Sequence, residues 1–283
     1  LLELPYKIVS KFLIQKAELE IFDQLSPNQF GFTRGRHMNV CSLSLMSTFD
    51  RLKHSLPKSF ALFLDIQAAF DSVSHLTLNH LFTFLFPNSS LPTSLAKLTH
   101  GATGRISING RLGPPISLSK GVGQGDPASS SKFLVPHHFF LRVIEIALTR
   151  GTLRPLAIPL NAISILPDVR NKEAAPGVAF ADDTALLLRF PTSIEHHLAL
   201  SSILHHLGEA TGMQVNPTKS EVLPMSDPND TERTLLQDFG IVTTQVKHLG
   251  IFLTRDRSVS AQATYGALID KLPLVSISIS TVT

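Results

Sequence analysis

Residues 178–188 read VAFADDTALLL. Two aspartates stand side by side, with apolar residues running away from them in both directions. Each flank has the composition of a short strand, so Ala181, Asp182 and Asp183 fall at or near a bend between two strands. A buried carboxylate is costly unless it is paired or bound to a metal. The nearest basic residue in the chain is Arg189. Two readings are open at this point: a polar hairpin tip, or ligands for a divalent cation.

A second strongly apolar strand is SFALFLDI, residues 59–66, which is apolar on both alternating faces, as expected of a strand covered on both sides. It ends on a third acid, Asp65. If the two strands are neighbours, Asp65 and Asp182 converge at one end of a sheet. Oxygen ligands of that kind suit Mg²⁺ or Mn²⁺, which keep waters and take up substrate phosphates. A third stretch, GVGQGDP (121–127), has three glycines that let the backbone pass close to a ligand, and Gln124 can pair with a base edge. Its plain alternative is a Gly-Pro turn.

The rest of the chain sets the frame. It has 283 residues, 43% hydrophobic and 17% charged, with a net charge of +3. Its pI is about 9.1 and its mean hydropathy is +0.17. No run of about 18 apolar residues suggests a membrane span, and the first residues lack a signal-peptide layout. The single Cys41 excludes an internal disulfide and a cysteine zinc cluster. The expectation is an intracellular protein of a reducing compartment, nucleus and cytoplasm not distinguished. Residues 101–172 carry nine Lys/Arg against three Asp/Glu, a basic stretch that can face a polyanion or simply be a solvated surface.

Local signals give more elements. RISINGRLG (105–113) predicts a hairpin turning at Asn109-Gly110. A helix is expected from Met38 to Leu56, before Pro57. Residues 192–210 predict a helix with Thr192 and Glu195 in capping-box spacing, an apolar stripe of Ile194, Leu198, Ile203, Leu204 and Leu207, and Gly212 just past its end. Its His196, His197, His205 and His206 read as a solvated face. The segment 151–177 reads as an irregular connection with one short strand in AISIL, and 272–283 has strand-like composition. Strands mixed with helices imply an α+β fold, a sheet covered by helices.

The order of these stretches carries a resemblance. FLDIQAAFD (63–71), GVGQGDPAS (121–129), FADD (180–183), GMQVNPTKSEV (212–222) and HLGIFL (248–253) resemble the succession of core motifs in reverse transcriptases. NQFGFTRGR (28–36) looks like the fingers motif of the non-LTR, LINE-type retrotransposon enzymes. The resemblance spans roughly residues 6–255. It implies a right-hand palm, an antiparallel sheet backed by helices, with partial fingers and little or no thumb. The implied division is partial fingers at 1–58, palm at 59–255 with an inserted fingers segment at about 76–120, and a truncated thumb start or irregular tail at 256–283.

The resemblance also implies roles. Asp65, Asp182 and Asp183 would be catalytic and would hold two Mg²⁺ (or Mn²⁺) ions. Phe70 would lie under the sugar of the incoming nucleotide and reject a 2′-hydroxyl. Gln124 and Gly125 would border nucleotide and template. Lys219 would sit near the leaving pyrophosphate, and Arg36, with Arg34, would approach the triphosphate or template. HLGIFL would hold the primer end. The implied partners are template RNA, a DNA primer and dNTP, with no membrane and no fixed oligomeric state. Alternatives are a decayed retrotransposon remnant that at most binds nucleic acid, and an RNA-directed RNA polymerase, against which Phe70 argues and for which the adjacent Asp71 leaves room. Gln67 stands where relatives are often charged. Pro136 is expected to break or kink the helix after GQGDP, at a cost of about 3 kcal/mol if internal.

Overall fold

A computed structural model describes residues 3–26, 28–158, 177–191 and 193–269. The expected strand in AISIL and the tail 272–283 lie outside the described residues. In chain order the helices are α1 (Leu4–Gln24), α2 (Met38–Ser55), α3 (Ala69–Ser72), α4 (His75–Leu85), α5 (Ser90–Lys97), α6 (Ser129–Arg150), α7 (Ile194–Thr211), α8 (Asp230–Gln237) and α9 (Arg257–Ile269). The strands are β1 (Ser59–Leu64), β2 (Thr103–Ile108), β3 (Arg111–Ser117), β4 (Gly177–Phe180), β5 (Asp183–Arg189), β6 (Glu221–Pro224), β7 (Ile241–Val242), β8 (Gln245–His248) and β9 (Ile251–Thr254). No helix among the described residues is long and apolar enough to cross a membrane.

The main sheet has the order β4-β5-β1-β6-β7, antiparallel except for the parallel β6–β7 pair. The central strand is β1, and all six of its residues are buried. Alternation sends its residues to two different cores. Phe60, Leu62 and Leu64 join Leu186 and Leu188 of β5 on one face, under α4, α6 and α7. Ala61 and Phe63 join Ala185 and Leu187 on the other, under α2 and the β8–β9 hairpin. Burying each such side chain stabilises by about 1.5–3 kcal/mol, which fixes the register: a one-residue slip would exchange the two faces. The sheet is therefore α+β and helix-covered, as the sequence implies.

Residues 28–31 extend the sheet beyond β4. Phe30 N–H donates to Ala179 (2.7 Å) and Ala179 N–H donates to Asn28 (2.9 Å). Gly31 is required there, because a Cβ would come within 2.0 Å of the Ala181 nitrogen. β2 and β3 form the expected hairpin, with Asn109 and Gly110 both at positive φ. Its exposed strands carry Arg105 and Arg111 into solvent.

Several expectations need correction. The cap of α7 is Ser193, whose hydroxyl accepts from His196 N–H, and not a Thr192–Glu195 box; Thr192 lies outside the described residues. Ile194 and Leu198 are 57% and 58% exposed, while His197 is buried against Phe239 and meets Asp238 at 3.0 Å. The apolar stripe of α7 is thus rotated, with His197, Leu200, Leu204 and Leu207 facing inward. Gly212 ends the helix at φ +86, as expected. Pro136 does not break α6, which runs through it from Ser129 to Arg150 with Pro136 buried. Within the stretch expected to be a truncated thumb start or an irregular tail, Arg257–Ile269 is a helix.

One buried ion pair ties α1 to the GQGDP loop. Lys132 Nζ and Asp126 Oδ2 are 2.7 Å apart with both side chains fully buried. Tyr6 donates to Asp126 (3.0 Å), Ser10 does so at short range, and Ala128 N–H donates at 3.0 Å. Burial alone would raise the Asp126 carboxyl, but Lys132, Ser10 and the Ala128 N–H hold it below the usual carboxylate range. Its folded pKa is depressed, so the stability it contributes is present above the unfolded carboxylate pKa and is lost as pH falls through the folded value. Lys132→Met strands the carboxylate and should cost about 3–5 kcal/mol in urea unfolding at pH 7, with the deficit shrinking at acid pH where Asp126 is protonated; an unchanged urea midpoint would contradict the pair.

Candidate active site

The two strands quoted first are direct neighbours. β1 and β5 run antiparallel with Leu64 opposite Thr184. One residue further on, Asp65 leaves β1 where Asp183 begins β5, and Asp182 fills the bend. Phe63, Ala185 and Leu187 belong to the core under the β8–β9 hairpin, and by alternation Asp65 and Asp183 share that face. The three acids line one cleft with Lys219, Glu221, Lys247 and His248.

Both acid-bearing backbones are clamped. Asp65 N–H donates to Ser220 Oγ (3.0 Å), and Asn216 N–H donates to the Asp65 carbonyl (2.8 Å). The NPTKS turn therefore holds Asp65 and presents Lys219 at the rim of the cleft. On the other side, Ala181 adopts φ +58, a left-handed value that turns the chain between β4 and β5.

The electrostatics record the convergence. Burial, and then the charges of Asp182 and Asp65, hold the Asp183 carboxyl above its usual range. Burial also raises the carboxyl of Glu221, a fourth acid in the cleft that the sequence reading did not single out. Burial, with the charge of Asp183 adding to it, pushes the Cys41 thiol up to about 12, so this lone cysteine is a core residue and not a nucleophile. Burial lowers His248 to about 4, and its Nε2 has no hydrogen-bond partner among the described residues.

The donor set is made of hard carboxylate oxygens, which fits Mg²⁺ or Mn²⁺ and not a soft or nitrogen-seeking ion. Among the described residues no group of three or more His, Cys, Asp or Glu side chains is gathered so as to hold a metal ion by itself. The acids share a cleft and one another's field as an open site, the form suited to an ion that also takes substrate oxygens.

The remaining expected residues do not all join this cleft. Phe70 is half-buried, stacked on Phe133 (4.7 Å between centroids) with its face met edge-on by Phe32 (6.1 Å). Its carbonyl accepts from Val122 N–H (2.8 Å), which draws the GVGQG loop alongside. Gln124 lines a neighbouring pocket with Asp71, His75 and Lys120, and Gly125 is exposed at φ +81. Arg36 points elsewhere: its Nη1 donates to the carbonyls of Ser26 and Gln29, both at 2.6 Å. Arg34 is exposed.

Comparisons with known proteins agree with this arrangement. Residues 1–253 match the family model described as reverse transcriptase (RNA-dependent DNA polymerase). A curated relative, the Transposon TX1 uncharacterized 149 kDa protein of Xenopus laevis, is 24% identical over 265 residues, which is 90% of this chain and 18% of that protein. The chain thus spans under a fifth of that relative's length. Among solved structures, telomerase from Candida albicans in complex with a TWJ fragment of telomeric RNA superposes with a TM-score of 0.52 at 14% identity, covering 88% of this chain and 36% of that one. Apo telomerase from Candida tropicalis gives 0.50 at 11% identity, covering 89% and 39%. At these identities the likeness to telomerase concerns the fold.

Because Asp183 is raised by burial and then by the charges of Asp182 and Asp65, its folded pKa exceeds the unfolded one, and the stability it contributes falls as pH rises through the window above 3.8. Asp182→Asn should lower the Asp183 pKa toward its ordinary value, read by carboxyl carbon NMR titration, and should leave the folded chain as stable or more stable at neutral pH. An unmoved Asp183 titration would mean the acids do not share a field.

Proposed function

We propose, from the premise that the chain belongs to the reverse transcriptase (RNA-dependent DNA polymerase) family, that it is the RNA-directed DNA polymerase core of a non-LTR retrotransposon. The observation that carries this reading is the meeting of Asp65, Asp182 and Asp183, distant in sequence, in one cleft at the end of a sheet. The NQFGFTRGR motif and the likeness to the Xenopus transposon protein support the non-LTR lineage. Residues 1–58 would then serve as partial fingers, and 59–255 as palm with inserted fingers at about 76–120.

The reaction is attack of a primer 3′-hydroxyl oxygen on the α-phosphorus of a dNTP, with pyrophosphate leaving and the hydroxyl proton lost to solvent. Two Mg²⁺ or Mn²⁺ ions, held by Asp65 and Asp182 with Asp183 at the same site, would supply charge neutralisation on the attacking and leaving oxygens. The protein's own work is placement. The clamps on Asp65 and Ala181 fix where the carboxylates stand. Lys219, exposed at the rim, offers a positive charge to the departing pyrophosphate. Phe70 is held rigid by Phe133 and Phe32, so its ring cannot swing away from a ribose 2′-hydroxyl, which favours deoxynucleotides. Gln124 and Gly125, exposed on a loop beside Lys120, would border the template strand. Arg36 acts indirectly, by tying down the 26–29 loop. Template sequence would be read by base pairing, with the protein meeting backbone and shape.

The test is primer extension on an RNA template with dNTPs and Mg²⁺ or Mn²⁺. Asp182→Ala removes several kcal/mol of transition-state stabilisation, at least about a hundredfold in rate at 1.36 kcal/mol per tenfold. Extension no greater than that of Asp182→Ala would contradict the proposal, and salt-sensitive RNA binding without synthesis would favour a decayed copy. Phe70→Ala should raise rNTP incorporation relative to dNTP in single-nucleotide assays. A wild-type preference for rNTP would overturn the assignment to a DNA polymerase.

A further inference from the structure

Directly behind the Phe180–Asp183 bend, three side chains from distant segments form one continuous hydrogen-bonded chain. They are Gln29 from the sheet-edge segment, His137 from α6 and Thr184 from β5. Gln29 and His137 are fully buried and Thr184 is 1% exposed.

The order of protons along it follows from two backbone amides. Gly31 N–H (2.8 Å) and Ala181 N–H (2.9 Å) both donate to Gln29 Oε1, which fixes the amide's orientation. Gln29 Nε2 is then the donor end. It gives one hydrogen to the Ala181 carbonyl (3.1 Å) and the other to His137 Nδ1 (3.0 Å). Since Nδ1 accepts, the neutral imidazole carries its proton on Nε2, which donates to Thr184 Oγ1 (2.9 Å). The threonine hydroxyl in turn donates to the Asp182 carbonyl (3.2 Å). Gln29, His137 and the Thr184 hydroxyl thus all have partners, as a buried network must to be stable.

What this chain grips is a strained residue. Ala181 at φ +58 adopts a left-handed conformation in which an L-residue's Cβ crowds the backbone. Such a residue persists where its surroundings over-determine it. Gln29 holds both its N–H and its C=O, and Thr184 holds the carbonyl of the next residue, Asp182. The hub is itself immobilised: the His137 ring stacks between Phe133 (5.5 Å) and Phe140 (6.1 Å). Phe133 is also the ring that carries Phe70.

We propose that Gln29, His137 and Thr184 are positioning residues, a buried relay that keeps Ala181 left-handed and thereby sets the Asp182 carboxylate in the cleft it shares with Asp65. The inference rests on the reading of that cleft as a divalent-metal centre. A relay that merely filled the core would affect stability without affecting cation affinity. The relay proposed here changes cation affinity as well when it is cut gently.

The experiment uses the full chain with Thr184→Val, which keeps the shape and deletes the hydroxyl, and Thr184→Ser, which keeps the hydroxyl. Free Mn²⁺ is titrated by electron paramagnetic resonance, with Asp182→Asn as the reference for site occupancy. Thr184→Val should weaken the Asp182-dependent binding by about tenfold, the lower end of what groups supporting a ligand carry, with at most a modest drop in thermal midpoint from the His137 Nε2–H left without its acceptor. Thr184→Ser should bind as wild type does. In parallel, amide hydrogen exchange should speed up at Ala181 in Thr184→Val, with the β5 interior, Leu186–Leu188, unchanged. Wild-type Mn²⁺ affinity and wild-type exchange at Ala181 in Thr184→Val would overturn the relay. So would a uniform loss of protection across β5 with a lowered midpoint, which marks a packing role alone. If the wild-type chain shows no Asp182-dependent Mn²⁺ binding, the metal-centre reading falls. Exchange at Ala181 then decides the relay by itself, acceleration supporting it and its absence refuting it.

Discussion

The structure depends on holding like charges together. Asp65, Asp182 and Asp183 gather at the end of a sheet whose interior is apolar on both faces, and burial together with their mutual repulsion raises the Asp183 carboxyl. Carboxylates left to themselves would splay into water. Among the described residues, backbone hydrogen bonds keep the acid-bearing segments in place. Asn216 and Ser220 hold Asp65 by its carbonyl and amide, and Gln29 holds Ala181 by the same two groups. The stability lost at this spot is supplied elsewhere, by the fully buried β1 and the two cores it joins.

The same logic explains the distribution of buried polar groups. Asp126 and Lys132 sit in the core as a pair, anchored by Tyr6 and Ser10 from α1, and so fix the loop that carries Gln124 and Gly125. Burial holds His137 at about 3, so it stays neutral and serves as a hydrogen-bond hub, not as a charge. Each of these groups joins segments more than a hundred residues apart to the vicinity of the cleft. Phe70 belongs to the same assembly through its stack on Phe133.

The elements that announced themselves in the sequence are those whose signal is local. An apolar run on both alternating faces marked β1, the Asn109-Gly110 pair marked the β2–β3 turn, and the acids between apolar flanks marked β4–β5. What stayed hidden was specified by distant partners. His197 looked solvated because its partners, Asp238 and Phe239, lie some forty positions away in the chain. Lys132 drew no notice within the basic stretch 101–172, since Tyr6 and Ser10, which complete its pair with Asp126, lie far away in the chain. Gln29 drew no notice inside NQFGF, since its partners are at 137 and 181. Arg36 is held by nearby carbonyls, which a charge-based reading does not anticipate. Pro136 was expected to interrupt a helix that packing carries through it.

The central claim is that Asp65 and Asp182 serve one cation site. Iron-directed cleavage addresses it most directly: Fe²⁺ in place of Mg²⁺, with ascorbate and peroxide, generates hydroxyl radicals that cut the nearest backbone. The account predicts two clusters of cuts in the folded chain, around Asp65 and around Asp182–Asp183, both suppressed by excess Mg²⁺ and both lost in Asp182→Asn. Cleavage at one cluster without the other, or cuts at both that survive Asp182→Asn, would contradict a shared site.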